Sequence, residues 1–209
     1  MRLKRRAPAS VFAVTIAVAL LAPLDDTLTA HMVQHVLLIG IAAPALALAL
    51  PTARVDGGRW YALAAAAVVT QSVIVVGWHA PAAFDAALRT DPLHGLEHLS
   101  MLGGATALWW VLAGTRPLRG ESVVALFLST LPLTALGVGL LLSTSPWYAA
   151  YRTVSDQQVA GAVMWGVGGA LTVFQGVALF VAWLTTVDRA RTPSPPRPLR
   201  PLNRPSPTP

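Results

Sequence analysis

The sequence predicts an all-α fold, a polytopic transmembrane helix bundle with about six spans. Hydrophobic residues make up 55% of the 209 positions and charged residues only 11%, whereas soluble domains carry about 25% charged residues. The mean hydropathy is +0.59, and several apolar runs approach or exceed the roughly 18 residues that identify a membrane-spanning helix. The chain contains no cysteine, which excludes disulfides, iron–sulfur clusters and thiolate metal sites.

Six apolar segments follow one another along the chain, and we place them at 9–24, 31–50, 60–79, 94–113, 122–143 and 158–186. The first is short and follows four basic residues, as the apolar core of a signal peptide does. Its small-residue cleavage pattern is poor, so we predict an uncleaved span. Pro44 and Pro132 fall inside spans, where neighbouring helices can satisfy the freed backbone groups.

The composition changes near the C-terminus. The segment "TPSPPRPLRPLNRPSPTP" is rich in proline and lacks an apolar face, which is typical of an extended, solvated tail. We therefore predict a helical bundle over 1–190 and a disordered cytoplasmic tail over 191–209.

The basic residues predict the orientation of the bundle. If the N-terminus is cytoplasmic, thirteen of the fifteen basic residues lie on the cytoplasmic side together with both termini, and Arg89 and Arg152 alone lie outside. Cytoplasmic loops of membrane proteins carry this excess. The distribution of the net charge of +6 is therefore explained by the orientation of the protein in a lipid bilayer, and we expect no nucleic-acid partner.

The five histidines of the chain all fall at the outer ends of predicted spans. His31 and His35 open the second segment, His79 closes the third, and His94 and His98 open the fourth. Residues four apart share a helix face, and polar side chains in a span usually point into the bundle. A lone terminal histidine is ordinarily an interfacial residue, but two such pairs on separate spans predict a metal site, since imidazole binds zinc, copper, iron and nickel. Whether His79 ligates or only ends its helix stays open.

Five further residues are candidates for additional ligands or supporting contacts. Glu97 lies within the string H-x-x-E-H, which also describes an inverted zinc-protease motif, although a role in orienting a histidine ligand is the more modest interpretation. Thioethers favour Cu(I), yet methionine in a membrane helix more often serves packing. The candidates are Glu97, Met101, Asp156, Gln157 and Met164.

Aromatic residues follow the fifth segment in "STSPWYAAY". We expect Trp147, Tyr148 and Tyr151 at the membrane interface, which is the usual place for such side chains. A lid over the histidines is the alternative.

Several motifs together resemble one family. In chain order "TAHMVQHVLL", "GWHAPAAFDAAL", "LHGLEHLSML", "STSPWYAAY" and "SDQQVAGAVMW" are similar to the multi-pass CtaG family of cytochrome c oxidase assembly proteins. The resemblance covers about residues 29–186. It is not a resemblance to the single-span copper chaperone with cysteine ligands that shares the name. Phe84 stands where the family pattern leads us to expect a tyrosine, and the N-terminal region is shorter than we expect, which would remove one further span.

The resemblance implies a non-enzymatic protein of the bacterial inner membrane that helps to form an active haem–copper oxidase at the copper-insertion step. The expected ion is copper, with zinc and iron as alternatives. The expected partners are cytochrome c oxidase subunits and a copper donor chaperone. By motif match the five histidines occupy the family's histidine positions, and Asp156 occupies its "DQQ" segment.

Three other functions stay open at this point. Paired H-x-x-x-H motifs also occur in di-iron membrane hydroxylases and desaturases, although those enzymes usually carry more histidines. Two helices could ligate a haem through one histidine each. Finally, the histidines could serve only as hydrogen-bonding contacts within a scaffold for oxidase subunits, with small-residue faces at Gly161, Gly166, Gly168 and Gly169 packing the helices.

Overall fold

The computed structural model describes residues 26–191. The predicted first span at 9–24 and the tail beyond 191 lie outside the described residues, so both stay predictions.

Within the described residues the chain folds into six helices. Their bounds are α1 Leu28–Ala49, α2 Gly57–His79, α3 Pro81–Ala87, α4 Asp91–Trp109 with a π-helical continuation Trp110–Gly114, α5 Glu121–Leu142, and α6 Val154–Arg191. Two-residue strands, β1 Ala53–Arg54 and β2 Thr115–Arg116, pair in parallel with Ala53 opposite Thr115. The predicted all-α membrane fold is confirmed.

Four of these helices, α1, α2, α5 and α6, are long and apolar enough to cross a membrane. Helix α4 is not one of the four, although we predicted a span at 94–113. Its 19 residues and the five of its continuation would extend about 36 Å at 1.5 Å per residue. His94, Glu97 and His98 lower its mean hydropathy, so the helix that carries most of the predicted site has the weakest membrane signal.

The five long helices close a ring. Helix α1 packs against α4, α4 against α2, α2 against α5, α5 against α6, and α6 against α1. Helices α5 and α6 approach each other closely, since a methyl group on Gly161 would lie 2.5 Å from the carbonyl oxygen of Gly137. Gly168 is in ordinary contact range of side chains, whereas Gly166 and Gly169 face open space. Of the predicted small-residue face, Gly161 alone therefore has a tight packing role.

Three π-helical segments interrupt the long helices, at Leu38–Ala42 in α1, at Trp110–Gly114 after α4 and at Val163–Val167 in α6. A π-helical turn disturbs the backbone hydrogen bonding, and membrane helices satisfy freed carbonyls with side chains. Carbonyls of two of these segments accept such bonds. Gln175 donates to Gly40, and Trp60 Nε1 donates to Val111 over 3.2 Å.

The two ends of the ring differ in composition. One end, which we call the histidine end, holds the starts of α1, α4 and α6, the ends of α2 and α5, and helix α3. The opposite end, which we call the arginine end, holds the β1–β2 pair and Arg54, Arg59, Arg116 and Arg119. Beneath the arginine end lies an apolar core that includes Leu38, Trp60, Leu108 and Leu112.

Candidate metal centre

Two side chains cap the start of α1, namely the hydroxyl of Thr27 and the carboxylate of Asp156. Thr27 accepts a hydrogen bond from the backbone nitrogen of Ala30 at 3.1 Å. Asp156 of α6 accepts from the nitrogen of Leu28 at 2.7 Å and from the hydroxyl of Thr29 at 2.6 Å. Because free N–H groups at a helix start need acceptors, these bonds fix the first turn, from which His31 and the following His35 point into the ring with 0% and 2% exposure.

The end of α2 presents His79. Pro81 follows two residues later, and proline disfavours a helical residue before it, so the helix ends at His79, where the predicted span 60–79 also ends. The Nδ1 atom of His79 lies 2.8 Å from the carbonyl oxygen of Val75. That bond makes Nδ1 the protonated nitrogen and leaves Nε2 with a lone pair for a ligand.

The first turns of α4 present the remaining groups. His94 and His98 are four residues apart and their ring centroids are 4.4 Å apart. Glu97 is completely buried, whereas His94 is half-buried. The Oε1 atom of Glu97 lies 3.7 Å from Nε2 of His31 and 3.5 Å from Nε2 of His35.

The structure brings the five predicted histidines together. The ring centroid of His31 lies 4.5 Å from that of His35, 5.3 Å from that of His94 and 5.6 Å from that of His98. The ring of His35 lies 5.3 Å from that of His98 and 5.4 Å from that of His79. Imidazoles from three helices thus form one buried group at the histidine end, which we call the histidine cluster.

The residues of the cluster fit a metal ion. Donor atoms of His31, His94, Glu97 and His98 all lie within 4.8 Å of one another. Metal–nitrogen bonds of about 2.0 to 2.1 Å place two donors on one ion at most about 4.2 Å apart, so small side-chain rotations would close this set. Among the described residues, both carboxylate oxygens of Glu97 and both ring nitrogens of His35 are buried without a hydrogen-bond partner. Such atoms are costly to bury unless something binds them.

A cover lies over the cluster at the histidine end. Phe84 of α3 is completely buried, with its ring 5.0 Å from that of His31 and stacked 4.0 Å from that of Tyr148. Tyr148 donates a hydrogen bond of 3.1 Å to the carbonyl of His79 and is only 1% exposed. Burial, with Glu97 and Asp85 nearby, raises the pKa of the Tyr148 phenol, which stays a neutral donor.

Tyr148 is therefore buried and not an exposed side chain, which agrees with the alternative of a lid over the histidines. Its aromatic ring packs against Phe84 because helix α3 folds back under the 143–153 loop. Asp85 fixes that loop by accepting hydrogen bonds from the backbone nitrogens of Ala149 and Ala150 at 3.1 and 3.2 Å. Trp147 and Tyr151 are half-buried at its edges.

The other candidate residues lie around the cluster in different roles. Asp156 binds the start of α1, as described above. The side chain of Gln157 accepts from the nitrogen of Trp147 at 2.7 Å and donates to the carbonyl of Ser145 at 3.1 Å, so it shapes the cover. Met101 and Met164 are buried, and Met164 lines a cavity together with His35.

Sequence reasoning overlooked Gln71, a buried polar residue beside the cluster. Gln71 lies in the middle of α2, is 3% exposed, and among the described residues neither atom of its amide has a hydrogen-bond partner. It lines a cavity of about 50 Å³ between the five long helices, together with His35 and Met164. The available signal was a lone glutamine inside an apolar span, where polar residues are costly and often functional.

Fold and site together define a polytopic all-α membrane protein with a buried histidine–carboxylate cluster at one end. A family model described as cytochrome c oxidase caa3 assembly factor (Caa3_CtaG) matches residues 9–186. The chain therefore belongs to the family of cytochrome c oxidase caa3 assembly factors, and the predicted resemblance is confirmed. No curated protein and no solved structure matches the chain.

Proposed function

We propose that the protein binds copper as cargo in the histidine cluster and passes it to a subunit of haem–copper cytochrome c oxidase during assembly, without catalysing a reaction of its own. One observation carries the proposal. A member of an oxidase assembly family gathers five imidazoles and a carboxylate from three helices in one buried group. Imidazole is a good ligand for copper, and the chain has no cysteine that could bind copper instead.

The position of the cluster favours exchange at the histidine end. The apolar core around Leu38, Trp60 and Leu112 fills the bundle towards the arginine end and offers no ligand to a moving ion. His94 is the half-buried member of the cluster, so it is the ligand that an incoming ligand atom of the receiving subunit would replace first. Transfer is then a ligand exchange in which each copper–nitrogen bond that breaks is replaced by a bond to the receiving subunit.

We place the histidine end outside the cytoplasm of a bacterial inner membrane, with both termini inside, because the opposite end carries most of the arginines. The absence of cysteine makes a direct test straightforward. In intact cells a membrane-impermeant maleimide should label the variant Thr144→Cys at the histidine end and not Thr52→Cys at the arginine end. Labelling of Thr52→Cys alone would reverse the orientation.

The proposed cargo is tested by metal analysis of the purified full-length protein. Copper should co-purify or bind on addition, and His35→Ala and His98→Ala should each weaken that binding by about tenfold or more, the usual effect of disturbing a metal site. Thr144→Ala, an exposed change at the same end, is the control and should bind like the unmodified protein. Copper affinity unchanged in both histidine variants would refute the proposal.

A metalloenzyme is the second candidate, and Glu97 is the observation that favours it. A buried carboxylate suits zinc or iron better than Cu(I). Iron in the purified protein together with oxygen-dependent substrate turnover would support this function. The absorption spectrum tests the haem alternative in the same sample, since a haem-binding bundle would show a Soret band.

A further inference from the structure

We propose that the histidine cluster holds two metal ions rather than one, with Glu97 between them. The outer ligand set consists of His31, His94, Glu97 and His98, and the inner ligand set consists of His35, His79 and Glu97. This inference rests on the proposed function, because it assumes that the cluster is a metal site.

The outer ligand set has the geometry of a single-ion site. Its four donor atoms lie within 4.8 Å of one another. Three imidazoles and one carboxylate complete a four-coordinate ion of the kind that zinc and copper form with histidine-rich ligand sets. No further protein ligand is needed at this position, which leaves two histidines of the cluster unused.

Those two histidines are the imidazole ligands of the inner ligand set. His79 is 1% exposed, its Nδ1 is held by Val75, and among the described residues its Nε2 has no hydrogen-bond partner. His35 is 2% exposed and both of its ring nitrogens lack one as well. The two ring centroids are 5.4 Å apart, and apart from the contact of His35 with Glu97 the nitrogens without a hydrogen bond are available to a second ion.

The cluster is elongated, which separates the two sets. The ring of His79 contacts those of His35 and Phe84, whereas the ring of His94 contacts those of His31 and His98. His79 and His94 therefore mark opposite ends of a row of imidazoles. One ion with bonds of about 2.0 to 2.1 Å would leave one end of this row empty.

Glu97 lies where the sets meet. Its Oε1 is 3.7 Å from Nε2 of His31 in the outer set and 3.5 Å from Nε2 of His35 in the inner set. A carboxylate has two oxygens and can accept at several positions, so it can bind one ion with each oxygen and offset part of the charge that two cations bring together.

The inner set also has space to complete its coordination. The cavity of about 50 Å³ that reaches His35 includes Gln71 and Met164 in its lining. This volume exceeds the roughly 10 to 15 Å³ that one water needs. A water held by the otherwise unbonded amide of Gln71, or the thioether of Met164, can supply the ligand that two histidines and one carboxylate lack.

The test is the stoichiometry of Cu(II), which accepts both nitrogen and oxygen ligands, bound by the purified full-length protein and titrated against a competing chelator. We expect two ions per chain. The matched variants His79→Ala and His94→Ala, each of which removes a ligand from one set, should each retain one ion and lose the other. Glu97→Gln should weaken both ions by about tenfold or more.

A second measurement does not depend on the variants. The unmodified protein loaded with Cu(II) should give a dipolar-broadened electron paramagnetic resonance spectrum, because two ions that share a carboxylate lie close together. A single ion per chain with an unbroadened spectrum would overturn the two-ion proposal and leave the proposed function standing. No bound copper at all would overturn the proposed function instead.

Discussion

The histidine end and the arginine end of the bundle use buried polar groups in opposite ways. At the arginine end several such groups are bonded within the fold, although Nε of Arg119 has no hydrogen-bond partner among the described residues. Trp60 donates to the carbonyl of Val111, Thr115 donates to the same carbonyl at 2.7 Å, and Ser122 donates to Leu112 at 2.9 Å. At the histidine end, among the described residues, both nitrogens of His35 and both oxygens of Glu97 are buried without a hydrogen bond.

This difference distinguishes buried polar groups that stabilise the fold from buried polar groups that are available to a ligand. A bonded buried polar group contributes roughly 0.5 to 1.5 kcal/mol, whereas an unbonded one costs about 1 to 3 kcal/mol. A fold keeps unbonded groups when function requires them. Substitutions at the two ends should therefore differ in their effect on stability, and four such changes, in decreasing order of expected effect, test the comparison.

The largest effect should come from Trp60→Ala at the arginine end. Trp60 is 2% exposed within the apolar core, and the guanidinium of Arg119 lies 5.4 Å from its ring centroid. Removing a buried aromatic side chain costs about 3 to 5 kcal/mol, which a denaturation curve in detergent would measure. Trp165→Ala is the control, because that side chain is 50% exposed. Equal losses in the two variants would mean that Trp60 is not part of the stabilising core.

The next effect should come from Gly161→Ala, where α6 crosses α5. The added methyl group would lie 2.5 Å from Gly137 and Leu141 backbone atoms, which cannot move without separating the helices. Overpacking of this kind costs about 1 to 3 kcal/mol. Gly166→Ala adds the same group where nothing lies within 4 Å and should keep the unfolding midpoint or raise it slightly, because alanine is the better helix former.

A smaller loss should follow Asp156→Ala. Its carboxylate accepts hydrogen bonds from Leu28 and Thr29 at the start of α1, and removal of a helix cap costs about 0.5 to 2 kcal/mol. Asp156→Asn keeps one acceptor oxygen and should lose less. Because Asp156 supports α1 from outside the group of donor atoms, we expect both variants to keep their copper stoichiometry. Loss of copper by Asp156→Asn with unchanged stability would instead indicate a direct role at the metal.

The sequence was sufficient to predict most of the fold and the gathering of the histidines. Apolar runs give the spans, and the positions of basic residues put all histidines at one end, so spacing alone placed His31 beside His35 and His94 beside His98. The ends of helices were less accurate. The predicted sixth span began at 158, whereas α6 begins at Val154, since its first turn is polar and carries no hydropathy signal.

Contacts between distant segments could not be read from the sequence. Helix α3 is seven residues long, too short to produce a clear periodic pattern, so neither its position nor its packing against Tyr148 was predicted, although a lid over the histidines was the stated alternative for the Tyr148 segment. Asp156 was a candidate ligand because it shares a motif with other polar residues. The residues that donate hydrogen bonds to it, Leu28 and Thr29, are more than 120 positions away along the chain, and spacing carries no information about them.

The smallest effect on stability should come from His35→Leu in the metal-free protein. Leucine is also large and is readily buried, and the substitution removes two ring nitrogens that have no hydrogen-bond partner within the described residues. Replacing such a polar group by an apolar one can be nearly neutral or stabilising, so the free energy of unfolding should change by less than about 1 kcal/mol while copper binding falls. If His35→Leu instead lost about 3 kcal/mol or more, the amount expected when a buried network is broken, the histidines would be structural contacts, as in the scaffold alternative. The two ends of the bundle would then not differ in the way that we describe.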